Sequence, residues 1–453
     1  MKKYSLSLVL QKLLGLLLFL LPWQTIWITQ ERFLNGEKWQ YGTQGFYATE
    51  VLLWIAVIFF IFWWWRRVKF KIQNSKFKIS FSKDRIFLLF CLSFIVYSLF
   101  STIWALDWAT AYQHAFYILE AFMLFFMLYL GPLQWKSAAK WFVAGAVLQS
   151  IFGIWQFLAQ TTFDFKWPGL AGHPVVEAGT SIIAGEGIGR TMRAYGSFSH
   201  PNVFGGYLAV SLLFTLLLTF GKQGKGFSWR TFGLWTMVYG LQLTALFFTF
   251  SRSAWLAFAV VFLSLITYYI FKKKVFSLQS SVFSLSFIII VVLAILYFPL
   301  VKTRIAGESA HEIASTSERV GGYNEAIEIF KQHPWLGVGS GNFTVAAYEL
   351  DPWRPGWEYQ PVHFVPLLVL VELGLVGMLI FIGIIVSFIT YHISQTRKKK
   401  LEIWDWKFGI TLFPFIFLLV FDHYLFSSYI GLLLSAIYFS LVFRFLETKK
   451  HSG

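Results

Sequence analysis

VKTRIAGESAHEIASTSERVGGYNEAIEIFKQHPWLGVGSGNFTVAAYELDPWRPGWEYQPV, residues 301–362, is a largely polar run in an otherwise apolar chain. SFIIIVVLAILYFPL (286–300) leads into it and FVPLLVLVELGLVGMLIFIGIIVSFIT (364–390) follows. A stretch of this length outside the lipid, in a protein with little other polar mass, is where the working part of the molecule is expected.

Outward from this segment the composition is 57% hydrophobic, 21% aromatic and only 13% charged, with a mean hydropathy of +0.62. A soluble protein of 453 residues has too little interior for that much apolar surface, so lipid must be the solvent. Crossing the hydrocarbon takes about 20 helical residues. By that measure twelve spans are predicted, near 7–29, 47–65, 86–106, 110–130, 138–159, 203–221, 231–250, 253–271, 281–300, 364–392, 408–424 and 425–446. The expected fold is an all-α polytopic membrane protein, one domain over 1–453, with 301–362 as a large extracytoplasmic loop between spans nine and ten. A second long outer connection runs from Gln160 to Asn202.

Charge placement agrees with an even span count. With Lys2 and Lys3 in the cytoplasm, the inner segments collect most of the 38 Lys and Arg residues. Of the acids, only Asp84, Glu402, Asp405 and Glu447 fall inside. This is the positive-inside pattern with both termini cytoplasmic. The net charge of +16 is therefore a topology signal and gives no reason to expect nucleic acid as a partner. The basic stretch 66–85 reads as a topology anchor or an element lying on the inner leaflet. Cys91, the single cysteine, excludes an intramolecular disulfide.

Within the polar run, Ser315 and Glu318 have the spacing of a capping box, predicting a helix over 316–332 that Pro334 ends. Val320, Tyr323, Ile327 and Phe330 recur at helical spacing as its packing face. GVGSGNF, with Gly337, Gly339 and Gly341, predicts a tight turn; it lacks the Lys-Ser/Thr of a phosphate-binding loop.

Several polar residues sit where exposed charge is costly. Arg252, in FTFSRSAW, falls in the outer turn between spans seven and eight. It is either snorkelling to headgroups or offering a fork of donors to an anion. Arg319 opens the predicted loop helix, where a solvated surface arginine is the plain alternative. His363 precedes a span whose first turn holds Pro366, which sets it at the outer interface. A structural hydrogen bond is its ordinary role there; a neutral imidazole also suits removal of a proton from a hydroxyl. In a continuous helix, Gly374 and Gly377 fall nearly beneath it and admit a close neighbour. SFSHPNVFGGYLA opens span six, with Asn202 as a possible helix cap and His200 as a contact for an anionic or polyhydroxyl ligand. Arg190 and Arg193 precede it as part of a basic entry. Glu120 and Glu372 are intramembrane carboxylates. There is no Asp-x-Asp, HExxH or cysteine cluster, so neither a metal nor another cofactor is expected.

In this order and topology the residues resemble the O-antigen ligase superfamily of bacterial membrane glycosyltransferases, which includes O-antigen ligases, some O-antigen polymerases and protein O-oligosaccharyltransferases. The resemblance rests on the arginine in SRS (Arg252), and on ERVGGYNEAIEIFKQHPWLGVGSGNF with Arg319 at its head. It also rests on HPN at 200–202 and on His363, Gly374 and Gly377 in the ligase spacing. Phe364 departs from the pattern, since ligases usually carry Asn, Ser or Gln there. The resemblance implies transfer of a glycan from a polyprenyl (undecaprenyl-type) diphosphate carrier to an acceptor hydroxyl on the outer face of the cytoplasmic membrane. It further implies a metal-independent, inverting reaction, with His363, Arg252 and Arg319 catalytic and His200, Asn202, Arg193 and Arg190 binding substrate. The acceptor is a glycan, a lipid or a protein. The competing class is a lipid-glycan flippase or transporter, expected to show internal repeats and helices broken at mid-membrane.

Overall fold

Leucine, phenylalanine and isoleucine runs bounded by proline, glycine or charge become helices along the chain. The computed structural model describes residues 5–447 except 74–82, 178, 186, 188, 221–228, 272–277, 308 and 398–405. In chain order the helices are α1 (Leu6–Phe19), α2 (Ala48–Gln73), α3 (Lys83–Phe100), α4 (Trp108–Leu130), α5 (Trp135–Ala159), α6 (Pro201–Phe220), α7 (Trp229–Phe248) and α8 (Arg252–Phe271). Then follow α9 (Leu278–Leu296), α10 (Phe298–Ala306), α11 (Ala310–Gln332), α12 (Phe343–Leu350), α13 (Val365–Arg397), α14 (Trp406–Phe421), α15 (Tyr424–Ser427) and α16 (Tyr429–Glu447). Small antiparallel pairings, such as Ile26–Gln30 with Gln44–Tyr47 and Ile182–Gly185 with Gly189–Met192, decorate the connections.

Seven of these helices are long and apolar enough to cross a membrane, or eight if the bent pair α9–α10 counts as one span. They include Ala48–Val68, Trp108–Leu130, Pro201–Thr219 and Val365–Tyr391. The chain is thus a mostly helical, multi-pass membrane protein. Three further expected spans appear as shorter apolar helices, Leu6–Phe19, Phe232–Phe248 and Arg252–Thr267. The first was expected to reach residue 29, but α1 stops at Phe19, and beyond Pro22 the chain turns into an extended strand at Ile26. The ninth is bent by 91° between α9 and α10, where Pro299 enters the first turn of α10. The 408–424 expectation is met by α14, sixteen residues with Pro414 inside. Of the basic stretch 66–85, α2 carries the part through Gln73, and 74–82 lie outside the described residues.

The hub is α6, whose apolar window is 94% buried. It packs against α5, α7 and α8. In hydrocarbon no hydrophobic effect drives such contacts, and close packing of small residues takes its place. Gly205 and Gly206 supply it: a side chain at Gly205 would collide with Ala254 and Ser251 of the α8 entry, and one at Gly206 with the Tyr424 hydroxyl.

The polar run folds against this bundle. α11 begins earlier than the capping-box spacing suggested: Ser309 caps it, its hydroxyl accepting from the Glu312 amide at 3.4 Å, and Ser315 and Glu318 lie inside the helix. Ser309 and Glu312 have the same Ser-x-x-Glu spacing, and Gly307 in the left-handed region ends α10 just ahead of them. The packing face also differs. Ala326 and Ile329 are buried with Tyr323 and Phe330 beside them, while Val320 and Ile327 are exposed. The Gly-rich turn is as expected, with Gly337, Gly339 and Gly341 all at positive φ. It fits into a break in α13 at Gly374 (φ 65°, ψ −170°), whose backbone meets that of Trp335 and Gly337. The freed amides are satisfied across the joint, Leu375 donating to the Pro334 carbonyl at 2.9 Å and Gly339 to that of Glu372 at 2.9 Å. Because α13 is broken there, Gly377 does not continue a regular helix beneath His363; it packs on Leu373 and Tyr97 instead.

Candidate functional site

The turns that begin α6, α8 and α13, the α10–α11 unit and the α14–α15 junction meet at one end of the bundle. The turn before α8 organises them. Phe250 has φ +46°, a left-handed conformation uncommon for a bulky residue. Its carbonyl accepts from Arg304 Nε at 2.9 Å, and the Thr249 carbonyl accepts from Arg193 Nε at 2.7 Å. Two arginines are thereby anchored to two adjacent backbone carbonyls.

Arg193 is buried and fully committed. Besides Thr249 it donates to the Ser181 hydroxyl and to Asn202 Oδ1, both at 2.7 Å. Asn202 therefore does not cap α6. Pro201 occupies the first helical position, so residue 202 lies inside the first turn, and His200 is the cap, its Nδ1 accepting the Asn202 amide at 3.1 Å. Arg304 is also buried, and its guanidinium meets Glu312 Oε1. Arg252 opens α8 with its side chain 36% exposed, and its Nη2 lies 3.4 Å from Glu312 Oε2. Arg319 is half-buried on α11, and its Nε is buried with no hydrogen-bond partner among the described residues. Arg190 stands apart. It is exposed and donates to the Val175 and Glu177 carbonyls of its own loop.

His363 is partly exposed at the entrance to α13. Its ring meets that of His423 edge-on at 4.7 Å, and the edge of Tyr41 approaches His423 from another side at 6.0 Å. His423 Nδ1 pairs with the Ser427 hydroxyl at 2.7 Å, which fixes the ring. Asp422 is buried; one carboxylate oxygen accepts the His423 amide at 3.1 Å and the other, Oδ2, has no hydrogen-bond partner among the described residues. Phe364 packs edge-on against Tyr323 of α11 at 6.4 Å.

Burial and the arginines set the protonation states. Desolvation pushes His363 well below the ordinary histidine range, with His423, Arg319 and His200 adding to it. Desolvation lowers His200 in the same way, reinforced by Arg193. His423 falls to about 3, by burial first and then by Arg319. Burial raises Asp422 to about 6, against the opposing pull of Arg319, the His423 amide, Asn202 and Arg193. At neutral pH the site thus holds neutral imidazoles, an ionised Asp422 and the guanidinium groups.

His363, Asp422 and His423 set ligand atoms within 4.8 Å of one another, the closest approach to a metal-binding group among the described residues. Two imidazoles and a carboxylate suit zinc in kind. The field does not, because Arg319 and Arg193 already act on Asp422 and would repel a divalent cation.

Deeper in the bundle, a second polar group surrounds the Gly-rich turn. Glu372 Oε2 accepts the Gly341 amide at 2.7 Å. His114 has both nitrogens engaged, Nδ1 with the Ser340 hydroxyl at 2.7 Å and Nε2 with the Phe426 carbonyl at 2.8 Å. Glu120 accepts from Trp54 Nε1 at 2.6 Å elsewhere in α4.

Reasoning from sequence missed Arg304, Glu312, Asp422 and His423. Asp422 and His423 did leave a signal, two polar residues breaking an apolar stretch from 408 to 446. Arg304 and Glu312 left none beyond lying in the polar run.

Residues 235–382 match the family model described as O-antigen ligase, and the match supports placing the chain in the O-antigen ligase superfamily that its motifs resemble. It takes in Arg252, Arg304, Glu312, Arg319 and His363, and leaves Arg193, His200, Asn202, Asp422 and His423 outside it. No curated protein matches the chain. At the level of the family, the match supports O-antigen ligase-like membrane glycan transfer.

Proposed function

We propose that the chain transfers a glycan from a polyprenyl (undecaprenyl-type) diphosphate to an acceptor hydroxyl at the outer face of the cytoplasmic membrane, as one domain with both termini inside. The observation that carries this is the pairing of two arginines whose donors are largely uncommitted, Arg252 and Arg319, with a partly exposed neutral imidazole, His363. Arg252 also begins α8, so the helix amides face an anion with it.

His363 takes the proton of the acceptor hydroxyl as its oxygen attacks the anomeric carbon. The bond from that carbon to the phosphate oxygen breaks, and the electron pair leaves on the diphosphate. Arg252 and Arg319 stabilise the charge that develops there, a role that relies on preorganised donors in a low-dielectric site. A single displacement inverts the anomeric centre. Arg193 holds Asn202 and the α8 turn and belongs to the framework, and His200 lines the site as a neutral contact. The charge of the arginines stands where other transferases use a divalent ion.

Ligase, polymerase and protein O-oligosaccharyltransferase share this chemistry and differ in acceptor. Phe364, turned to Tyr323, supplies no polar contact to an acceptor at the position where ligases have one. The flippase or transporter reading takes support from the break in α13, but that break is filled and hydrogen-bonded by the Gly-rich turn.

The test is purified protein with a defined polyprenyl-diphosphate glycan and candidate acceptors. Glycosylated acceptor with an equal amount of free polyprenyl diphosphate is expected. Donor moved across a vesicle bilayer without product would replace the transferase with a transporter.

A further inference from the structure

The four guanidinium groups at this site divide into two kinds. Arg193 and Arg304 are tied to backbone carbonyls of the α8 turn, while Arg252 and Arg319 are available to a ligand. Among them lies Glu312, 3% exposed and shared between two arginines. Its Oε1 is engaged by Arg304; its Oε2 faces Arg252 at 3.4 Å and accepts no hydrogen bond among the described residues. A framework ion pair needs only Arg304. The second oxygen brings a fixed negative charge to the arginine best placed to meet a substrate.

We propose that Glu312 sets the charge of the anion pocket so that the spent carrier is released after transfer. The inference rests on the diphosphate reading above. Four arginines against the buried Glu312 and Asp422 leave a net charge of +2. Glu318 also acts on Arg319, but it is exposed on α11, where solvent screens it. A glycan-bearing diphosphate has one ionised oxygen on each phosphorus, charge −2. Once the sugar leaves, its former bridging oxygen keeps the bonding pair and the freed carrier rises to −3, the acceptor proton being on His363. His363, held well below the ordinary histidine range, passes that proton on to solvent; a pocket of +2, neutralised by the donor, is then overfilled by the product. Without the Glu312 charge it would be +3, matched to the product, and the enzyme would hold what it must release.

The probe is inorganic pyrophosphate, titrated by calorimetry into the full-length protein in detergent. Glu312→Gln is expected to bind it about tenfold more tightly than wild type, as is Glu312→Ser, while Glu312→Asp stays near wild type. In turnover with the glycan donor, E312Q should show a lower KM and a first-turnover burst followed by slow steady state. Pyrophosphate binding that is unchanged or weaker in a folded Gln or Ser variant overturns the proposal, and so does failure of both to fold, which would make Glu312 a framework ion pair. A wild type that transfers no glycan sinks the transferase reading and leaves the pyrophosphate comparison standing.

Discussion

Two polar groups, each with histidine and carboxylate, sit at different depths of the same bundle, and they are built in opposite ways. Around the Gly-rich turn, His114 has both nitrogens bonded and Glu372 closes on a backbone amide. At the outer end, Arg319 Nε and Asp422 Oδ2 are buried with no hydrogen-bond partner among the described residues, and Arg252 meets the Glu312 carboxylate. A buried polar group with its hydrogen bonds made holds a fold together; one left unmade costs free energy and persists where a ligand completes it. We read the inner group as a joint and the outer group as the proposed site.

The largest effects should follow from breaking the site. Arg252→Ala and Arg319→Ala should each lower transfer by about 10²–10³-fold with insertion and thermal midpoint retained, measured on purified protein. His363→Ala should cost on the order of 10²–10⁴-fold at every acceptor concentration. Near-normal turnover in any of the three would turn that residue into surface or framework.

Breaking the joint should do the reverse. Glu372→Ala strands the Gly341 amide, for about 1–3 kcal/mol of stability, read by thermal or denaturant unfolding. The folded fraction should still transfer within a fewfold of wild type. Loss of transfer without loss of stability would erase the distinction between the two groups.

Acidity sharpens the comparison further. Asp422 protonates more readily in the native protein than in the unfolded chain, so its contribution is most favourable below the ordinary carboxylate value and is lost as pH rises through about 6. Asp422→Asn should therefore stabilise the protein above pH 6 by about 2–3 kcal/mol, with the gain gone near pH 4. His363, held well below the ordinary histidine range by burial, stays neutral through this window. An acid limb of the transfer rate near pH 6 belongs to Asp422 and should vanish in the Asn variant; one that persists would assign it elsewhere. The smallest effect is the last. EDTA should leave the rate unchanged, and a loss restored only by zinc would give His363, Asp422 and His423 a metal.

Much of this was legible in the sequence because lipid simplifies the code. Spans announce themselves by length, and charge by its cost. Arg252 and His363 stood out for lying where hydrocarbon gives way to water, and Arg319 for opening the loop helix in the run that carries the family resemblance. Glu312 and Arg304 did not, since in a polar stretch one acid and one base look like any others until α10 and α11 fold them against the α8 turn. Asn202 was placed as a cap by its residue type, but Pro201 fixed the helix start two positions earlier, with His200 as the cap. Gly374 was read as a smooth packing glycine, while its role came from a partner 37 residues upstream, Gly337, which no periodicity reveals.

An experimental structure with an uncleaved polyprenyl-diphosphate glycan analogue bound is the most direct trial of the outer site. The diphosphate should lie within hydrogen-bond reach of Arg252 and Arg319, with the anomeric carbon facing His363. A diphosphate seated away from both arginines, or at the opposite end of the bundle, would contradict it.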